Sequence, residues 1–309
     1  MLKQYLFLQP KPHCCKHQRG KKGSILIVSL WALGVLAILG LALAQFIFQQ
    51  IKFTNFFMRS TISLPVARAA YQRVLFERRT GLVSDYDSLK EITGEKEGQL
   101  CNNLSYKYYF AQKKIIDGEE IFIDESALIN LNLVSSRILE QLPGLDEDLA
   151  KKIVESGKRP FKRKEELLLI EDIDKEQFIQ FKDLITVYGT GKININSVSK
   201  EVLSALGLDD DLIEKIFRFR KEYEGGDGEE GTIDDGAFTS PSTIASELQK
   251  FVNLSTRQQQ DLISLANTLD VKSEYIRLSI IPQIKGKDGV RYSIIMHPPT
   301  GKLISWQEM

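Results

Sequence analysis

The densest group of chemically capable side chains is an acidic, glycine-rich segment that runs from Glu222 to Gly236. It holds seven carboxylates and no Lys or Arg between positions 222 and 235, and its glycines allow the tight turns that an oxygen cage for Ca²⁺ requires. The carboxylates predicted to bind this ion are Asp227, Glu229, Asp234 and Asp235. The same composition is typical of a solvated loop without a metal, so both interpretations stay open.

The rest of the sequence offers few groups for catalysis. Of the three histidines, only His297 lies beyond the basic N-terminal stretch, and of the three cysteines only Cys101 does. These positions argue against a Ser/His/Asp or Cys/His triad, a multi-histidine metal site and an internal disulfide framework. A hydrolase with paired carboxylates is a further possibility, but no spacing of Asp and Glu supports it. The sequence therefore predicts that the protein is not an enzyme.

The charge distribution near the N-terminus predicts a membrane helix. No Asp or Glu precedes Glu77, whereas six basic residues precede an apolar run: Lys3, Lys11, Lys16, Arg19, Lys21 and Lys22. The 29 residues from Gly23 to Ile51 carry no charge, and a helix of that length is roughly 43 Å long, against a hydrocarbon layer of about 30 Å. We predict a span over 24–51, with a cytoplasmic N-terminus and an exported C-terminal part.

Three interpretations of this segment differ in what remains after processing. It is a plain anchor, a signal peptide cut after Ala44, or a leader (1–23) cut after Gly23. The apolar run continues past Ala44, which disfavours the signal peptide. The basic run ends at Gly23 and the apolar helix begins at Ser24, as in the class III leaders that prepilin peptidases recognise. We predict cleavage between these two residues.

Beyond the span, apolar residues at three- and four-residue spacings predict that the helix continues. They are Phe53, Phe56, Phe57, Ala67, Ala70, Tyr71, Val74 and Leu75. This periodicity fits packing on the chain's own domain and packing against neighbouring subunits equally well.

The remaining pattern predicts a sheet domain that is interrupted by helices. The β-prone runs 106–110 and 121–123, with Asp117-Gly118 between them, predict a hairpin. A second β-rich block covers 275–284, 290–296 and 303–306, whereas everything from Ser126 to Asp270 reads as helices. The predicted class is therefore α+β, with a sheet domain formed by 52–125 and 271–309 and an all-helical domain inserted into it.

The helical insertion contains an internal repeat, which divides it into units at 126–190 and 191–270. Each copy begins with a hydrophobic segment that carries two asparagines, continues through Gly-Leu-Asp, and reaches a phenylalanine, Phe161 or Phe238. The asparagines predicted to cap helices or fix turns, and not to bind a ligand, are Asn130, Asn132, Asn194 and Asn196.

Each unit resembles a helix-hairpin-helix motif. The DNA-binding form needs exposed hairpin amides and a basic surface. Here Asp146 and Asp209 follow the hairpins, and residues 126–270 carry 18 Lys and Arg against 27 Asp and Glu, a formal charge of −9. These acids are expected at the N-terminus of the second helix, where their negative charge interacts favourably with the positive end of the helix dipole. A membrane-anchored helix-hairpin-helix protein of DNA uptake is the alternative function.

The segment from Gly23 to Leu43, the paired asparagine segments and the closing segment 303–308 together resemble the minor pseudopilin K family of type II secretion systems (GspK). The resemblance covers almost the whole chain. Pilin-like proteins normally carry Glu at the fifth mature position, where Val28 stands here, and this family lacks that Glu as a rule. The resemblance implies a transmembrane pilin-like helix and a pilin-type antiparallel sheet domain with two inserted SAM-like repeats.

The same resemblance implies a function in assembly. A minor pseudopilin lies in the inner membrane with its C-terminal domain in the periplasm, at the tip of the pseudopilus that exports folded proteins across the outer membrane. The implied partners are the minor pseudopilins I and J and the prepilin peptidase, with no nucleic acid. Val28 in place of the charged residue and the bulk of the inserted repeats both favour the tip position. Members of the family are reported to bind calcium, which the acidic segment 222–236 would hold.

Overall fold

The computed structural model describes residues 22–80, 87–116, 119–222 and 236–309. Its backbone divides into two units, one that ends at Met58 and one that begins at Arg59. The helices are α1 (Lys22–Arg79), α2 (Leu89–Thr93), α3 (Ser136–Leu139), α4 (Glu147–Glu155), α5 (Lys175–Phe181), α6 (Lys200–Ala205), α7 (Asp210–Glu222), α8 (Ile244–Phe251) and α9 (Thr256–Ser264). Short 3₁₀ helices cover Glu125–Ala127 and Lys164–Leu169.

The strands of the described residues follow in chain order. They are β1 (Lys96–Cys101), β2 (Leu104–Tyr109), β3 (Gln112–Ile116), β4 (Glu119–Ile123), β5 (Ile129–Asn130), β6 (Ile185–Thr186), β7 (Ile193–Asn194), β8 (Leu269–Asp270), β9 (Ile276–Ile284), β10 (Lys287–Asp288), β11 (Tyr292–His297) and β12 (Lys302–Glu308).

The first unit contains the apolar part of α1. The stretch of α1 from Ile25 onward is long and apolar enough to cross a membrane. Its Leu, Ile and Phe side chains are exposed around the whole circumference, and Val28 is 64% exposed among them. A helix that is apolar on every side and covered by no protein is typical of a membrane span. The predicted apolar helix is confirmed, and its orientation stays a prediction.

The second unit contains an antiparallel sheet in the order β1-β2-β9-β11-β12, with β10 paired to the end of β9. The predicted C-terminal block corresponds to β9, β11 and β12. The α+β class with an antiparallel sheet and a separate helical part is confirmed.

The partner predicted for the first β-prone run is wrong. The run 106–110 belongs to β2, which pairs with β1 on one side and β9 on the other, whereas β4 pairs with β3. Tyr106 and Tyr108 lie two residues apart and both enter the core beneath α1, so β2 belongs to the sheet that packs on α1, whereas β3 and β4 form a separate two-stranded sheet. The predicted turn residues Asp117 and Gly118 lie outside the described residues.

One face of the sheet packs on the second half of α1. The helix contributes a stripe at three- and four-residue spacing: Val66, Ala67, Ala70, Tyr71, Val74 and Leu75. The strands contribute alternate residues, which are Ile276, Leu278, Ile280, Tyr292, Ile294 and Met296. The stripe predicted from Ala67 onward therefore packs on the chain's own sheet. Phe53, Phe56 and Phe57, which were assigned to the same pattern, are exposed.

The helical part has its own continuous core, formed by residues between Ala127 and Val271. It is not entirely helical as predicted, because β5 pairs with β6 and β7 pairs with β8, each in parallel and over two residues. Each pair joins the first residues of one repeat to its last residues. The backbone at the start of each repeat is therefore hydrogen-bonded to the backbone at its end.

Ser63 fixes α1 to the loop before β11. Its hydroxyl donates to the carbonyl of Arg59 (2.6 Å) and accepts the N–H of Val290 (3.1 Å). A Cβ atom at Gly289 would lie 2.2 Å from the Ser63 hydroxyl, so this contact leaves room for glycine alone.

We therefore expect Gly289→Ala to lower the free energy of unfolding by about 1–3 kcal/mol. Adding Ser63→Ala should recover part of that loss, because it removes the clashing oxygen, although Ser63→Ala alone should cost about 1 kcal/mol through its lost hydrogen bonds. Urea denaturation of the full chain in detergent micelles measures all three variants. Strictly additive losses would contradict the assigned contact.

Candidate functional site

Asn132 joins the beginning of the first repeat to its middle and its end. Its Nδ2 donates to the carbonyl oxygens of Phe161 (3.0 Å) and Val187 (3.2 Å). Its Oδ1 accepts the N–H of Phe161 at 2.7 Å. The amide thus satisfies both backbone groups of Phe161, whose ring is buried in the core of the helical part.

Asn196 makes the same contacts in the second repeat. Its Nδ2 donates to the carbonyl oxygens of Phe238 (2.9 Å) and Val271 (3.5 Å), and its Oδ1 accepts the N–H of Phe238 at 2.8 Å. Asn196 is 1% exposed. We call each of these amide contacts with a phenylalanine backbone an Asn–Phe staple. The structural equivalence of the two staples supports the internal repeat.

The other two predicted asparagines fix turns. The Oδ1 atoms of Asn130 and Asn194 accept the N–H two residues later, at 2.9 and 3.0 Å. The predicted turn role is confirmed for both. None of the four asparagines caps a helix: Asn130 and Asn194 fix turns, whereas Asn132 and Asn196 hold backbone groups that are distant in the sequence.

Within the described residues, each repeat contains two helical hairpins, where the sequence indicated one. In the first repeat they are α3–α4 and the pair formed by Lys164–Leu169 and α5; in the second repeat they are α6–α7 and α8–α9. The first hairpin of each repeat turns at a glycine with a left-handed backbone, Gly144 (φ 76°) or Gly207 (φ 89°). Asp172, which also has a positive φ (70°), takes this place in the second hairpin of the first repeat.

The chain's own side chains occupy the N-terminal amides of the helices that follow these hairpins. Asp146 accepts the N–H of Leu149 and Asp209 accepts the N–H of Leu212, both at 2.8 Å. Asp174 and Ser255 cap α5 and α9 with complete capping boxes. The predicted placement of Asp146 and Asp209 at helix N-termini is confirmed.

This arrangement opposes phosphate binding. A helix-hairpin-helix motif binds phosphate through free backbone amides at a positive helix end. Here a carboxylate accepts one N–H at the helix N-terminus in three hairpins, so a phosphate would meet negative charge beside the remaining amides. The geometry therefore provides a rigid scaffold with acidic tips.

A buried polar network joins the helical part to the sheet and to α1. Asp124, which precedes the first repeat, accepts the hydroxyls of Ser273 (2.5 Å) and Ser197 (2.7 Å). The N–H of Ser273 donates to Asp87 at 2.7 Å, and Arg78 at the end of α1 donates to the other oxygen of Asp87, also at 2.7 Å. Asp87 and Asp124 are 0% and 1% exposed. We call this set the Ser273 junction.

The charges of the Ser273 junction do not balance. Arg78 forms an ion pair with Asp87 and lies 4.1 Å from the ring centroid of Phe110, whereas the contacts of Asp124 are neutral donors. Burial and, less strongly, the charge of Asp87 raise the pKa of Asp124 from its ordinary 3.8 to about 6, against the lowering effect of the serine hydrogen bonds.

Glu125 provides a second connection next to Asp124. Its carboxylate accepts the hydroxyl of Thr186 at the end of the first repeat and forms two hydrogen bonds with Arg277 in β9. The Ser126 hydroxyl also binds both backbone groups of Tyr275 at 3.0 Å. Three consecutive residues thus fix both ends of the insertion.

The structure leaves most of the predicted site residues untested. The predicted calcium ligands Asp227, Glu229, Asp234 and Asp235 lie outside the described residues, so the calcium hypothesis stays a prediction. Gly23 and Ser24 lie in the first turn of α1, and cleavage between them also stays a prediction. Within the described residues no group of three or more His, Cys, Asp or Glu could hold a metal ion.

The functional residues that sequence reasoning missed are the buried acids. Asp87, Asp124 and Glu125 read as ordinary surface acids, because each flanks a short β-prone or helical run. One signal in the sequence could have indicated them. Asp124 and Glu125 lie at the predicted boundary between the sheet domain and the helical insertion, where polar contacts are needed to hold the two parts together.

We expect Asn196→Ala to lower the free energy of unfolding by about 3 kcal/mol, because it leaves the buried N–H and C=O of Phe238 without partners. Asn253→Ala is a matched control on the exposed α8–α9 turn and should change stability by less than about 0.5 kcal/mol. Urea denaturation of the full chain in micelles, followed by circular dichroism, compares them. Equal losses in both variants would refute the staple.

The raised pKa of Asp124 predicts a pH-dependent stability. The stability that comes from the protonated carboxyl is fully present below about pH 4 and is lost as the pH rises through about 6, because the folded chain binds this proton more tightly than the unfolded chain. A shift of about two units corresponds to about 3 kcal/mol. The free energy of unfolding of the wild type should fall by this amount relative to Asp124→Asn between pH 4 and 7. Parallel profiles for the two proteins would contradict the assignment, and Asp148→Asn, at an exposed acid, should follow the wild type.

Comparisons with known proteins agree with this architecture. The helix-hairpin-helix motif family matches residues 124–186, which contain most of the first repeat together with Asp124 and Glu125. No curated protein matches the chain. Among solved structures, a chain of the GspK-GspI-GspJ complex from the enterotoxigenic Escherichia coli type 2 secretion system matches with a TM-score of 0.51 at 12% identity, over 84% of this chain and 99% of that one. The chain therefore has a GspK-like α+β fold that includes a helix-hairpin-helix domain.

Proposed function

We propose that the chain is a minor pseudopilin of a type II secretion system. In this role it assembles with two further minor pseudopilins, corresponding to I and J, and catalyses no reaction. The observation that carries the proposal is the GspK-like fold over 84% of this chain, shared with a protein solved in complex with GspI and GspJ. The apolar helix at the N-terminus supports it, because an inner-membrane subunit needs such an anchor.

We also propose the topology and position that this role requires. The basic residues before the apolar helix favour a cytoplasmic N-terminus, which exposes the sheet and the repeats to the periplasm. Val28 provides no charge to meet the free amine of a subunit ahead of it, and an unpaired ion inside a membrane is costly. The missing charge at Val28 and the bulk of the inserted repeats both favour a place at the tip of the pseudopilus. Export of folded proteins across the outer membrane would depend on the chain in this position.

The alternative function is DNA binding, and the helix-hairpin-helix match over residues 124–186 does not favour it. That match describes the backbone motif, whereas phosphate binding depends on the residues at its tips. Asp146, Asp174 and Asp209 each accept one N–H at a helix N-terminus and place negative charge where a phosphate would bind. The proposed function is therefore protein assembly.

We expect the full chain, produced with minor pseudopilins I and J, to purify as one complex from detergent-solubilised inner membranes. Deleting the chain should abolish secretion of the exported cargo. Duplex DNA should bind more weakly than about 100 µM at physiological salt, the level of non-specific binding. Tight DNA binding together with normal secretion after deletion would support the alternative and defeat the proposal.

We expect prepilin peptidase to cut between Gly23 and Ser24, because the charged leader ends there and the apolar helix begins. Mass spectrometry of the mature protein gives its first residue directly. A mature chain that begins at Gln45, or one that keeps Met1, would contradict pilin-type processing. Gly23→Leu should leave the leader attached, whereas Gly20→Leu is the matched control in the same basic stretch.

A further inference from the structure

The two edges of the central sheet differ in how they are protected. The edge strand β1 carries Lys96 and Glu97, a glycine at position 98 and a register shift between Gln99 and Cys101. Charges, glycines and irregular register discourage the addition of another strand. The edge strand β12 is longer and has no charge from Leu303 to Gln307.

The outer side of β12 presents unpaired backbone groups. The N–H of Met309 donates to Arg291, and hydrogen-bonded and non-hydrogen-bonded pairs alternate along an antiparallel ladder. Trp306 and Glu308 therefore lie in the non-hydrogen-bonded pairs, opposite Ile294 and Tyr292 of β11. Their N–H and C=O groups point away from β11. Among the described residues, no backbone hydrogen bond reaches β12 from that side.

This edge is held rigidly in place. The indole of Trp306 packs edge-on against Tyr71 of α1, with ring centroids 6.1 Å apart, and lies 5.6 Å from the ring of Tyr292. A register shift opposite Ile295 and Met296 confines the regular part of the strand to its C-terminal half. A pre-ordered strand loses little conformational entropy when a partner strand joins it.

The surroundings of β12 indicate the chemistry of the partner. A cleft of about 760 Å³ lies elsewhere on the second unit. The cleft beside β12, of about 520 Å³, is lined by Ile304 to Gln307, by Arg163, Lys164 and Glu165 of the first repeat, and by the ion pair of Glu125 with Arg277. Arg163 is exposed and Lys302 begins the strand, and neither has a carboxylate within 4.0 Å among the described residues. Arg163 in the cleft and Lys302 at the start of the strand, outside the cleft, favour an acidic, extended segment.

We propose that β12 accepts an extended, carboxylate-bearing segment of a partner pseudopilin as an additional strand, with Arg163 and Lys302 binding its acidic side chains. This inference rests on the proposed function and assigns a surface to it. A second copy of this chain would pair Lys302 with Glu308, but its β12 has no acid in the middle that could reach Arg163. A second copy of this chain is the competing occupant, and it would leave Arg163 without an acidic partner.

Hydrogen exchange of the full chain in micelles, alone and with minor pseudopilins I and J, tests the surface. The amides of Trp306 and Glu308 should exchange at least about tenfold more slowly in the complex, while those of β1 stay unchanged. If the complex forms and these two amides keep their rates, the edge proposal fails and the proposed function stands. If no complex forms, the proposed function itself fails. Slower exchange in the chain alone, growing with its concentration, would assign the edge to self-pairing and overturn the proposal.

Charge reversal tests the cationic side of the cleft. Arg163→Glu should weaken binding of the partner by about tenfold, and the loss should shrink at high salt. Lys162→Glu is the matched control, because Lys162 is exposed in the same loop and does not line the cleft. If both variants weaken binding equally, the attraction depends on the overall charge of this surface and not on Arg163, and the proposed site is contradicted.

Discussion

The hydrogen bonds of Ser273 with Asp87 and Asp124 hold the structure in the form that its proposed function needs. A helical insertion inside a sheet domain has two connections, and each can act as a hinge unless it is fixed. The Ser273 junction brings the end of α1, the segment before α2 and both ends of the insertion to one buried point. Buried polar groups without partners are costly, so every element at this point holds the others in register.

The Asn–Phe staples apply the same constraint inside each repeat. An asparagine side chain has a donor and an acceptor side by side, which match the C=O and N–H of one backbone residue. Asn132 and Asn196 use this match to hold Phe161 and Phe238. The asparagine staples hold the shape of each repeat, and the carboxylates that cap the hairpin helices place negative charge where a phosphate would bind. This explains how a helix-hairpin-helix domain can act as a scaffold.

Local periodicity predicted the elements of this fold well. The stripe on α1, the alternating strands of the C-terminal block and the two repeats follow from side-chain spacing, which depends on the backbone of a single segment. The pairing of β2 with β9, the two-residue parallel pairs and the Ser273 junction depend on residues more than a hundred positions apart or on two-residue strands too short to show a period. Asp124 is an extreme case, because burial alone distinguishes it from a surface acid.

The central claim is that the repeats and the sheet form one rigid body for assembly with partner subunits. Native-state hydrogen exchange of the backbone amides of Phe238 and Ser273, compared with those of β9, tests it most directly. The account predicts that all three exchange only through unfolding of the whole second unit, with the same dependence on denaturant. Exchange of Phe238 and Ser273 through a separate, lower-energy opening while β9 stays protected would show an insertion that moves independently, and would contradict the account.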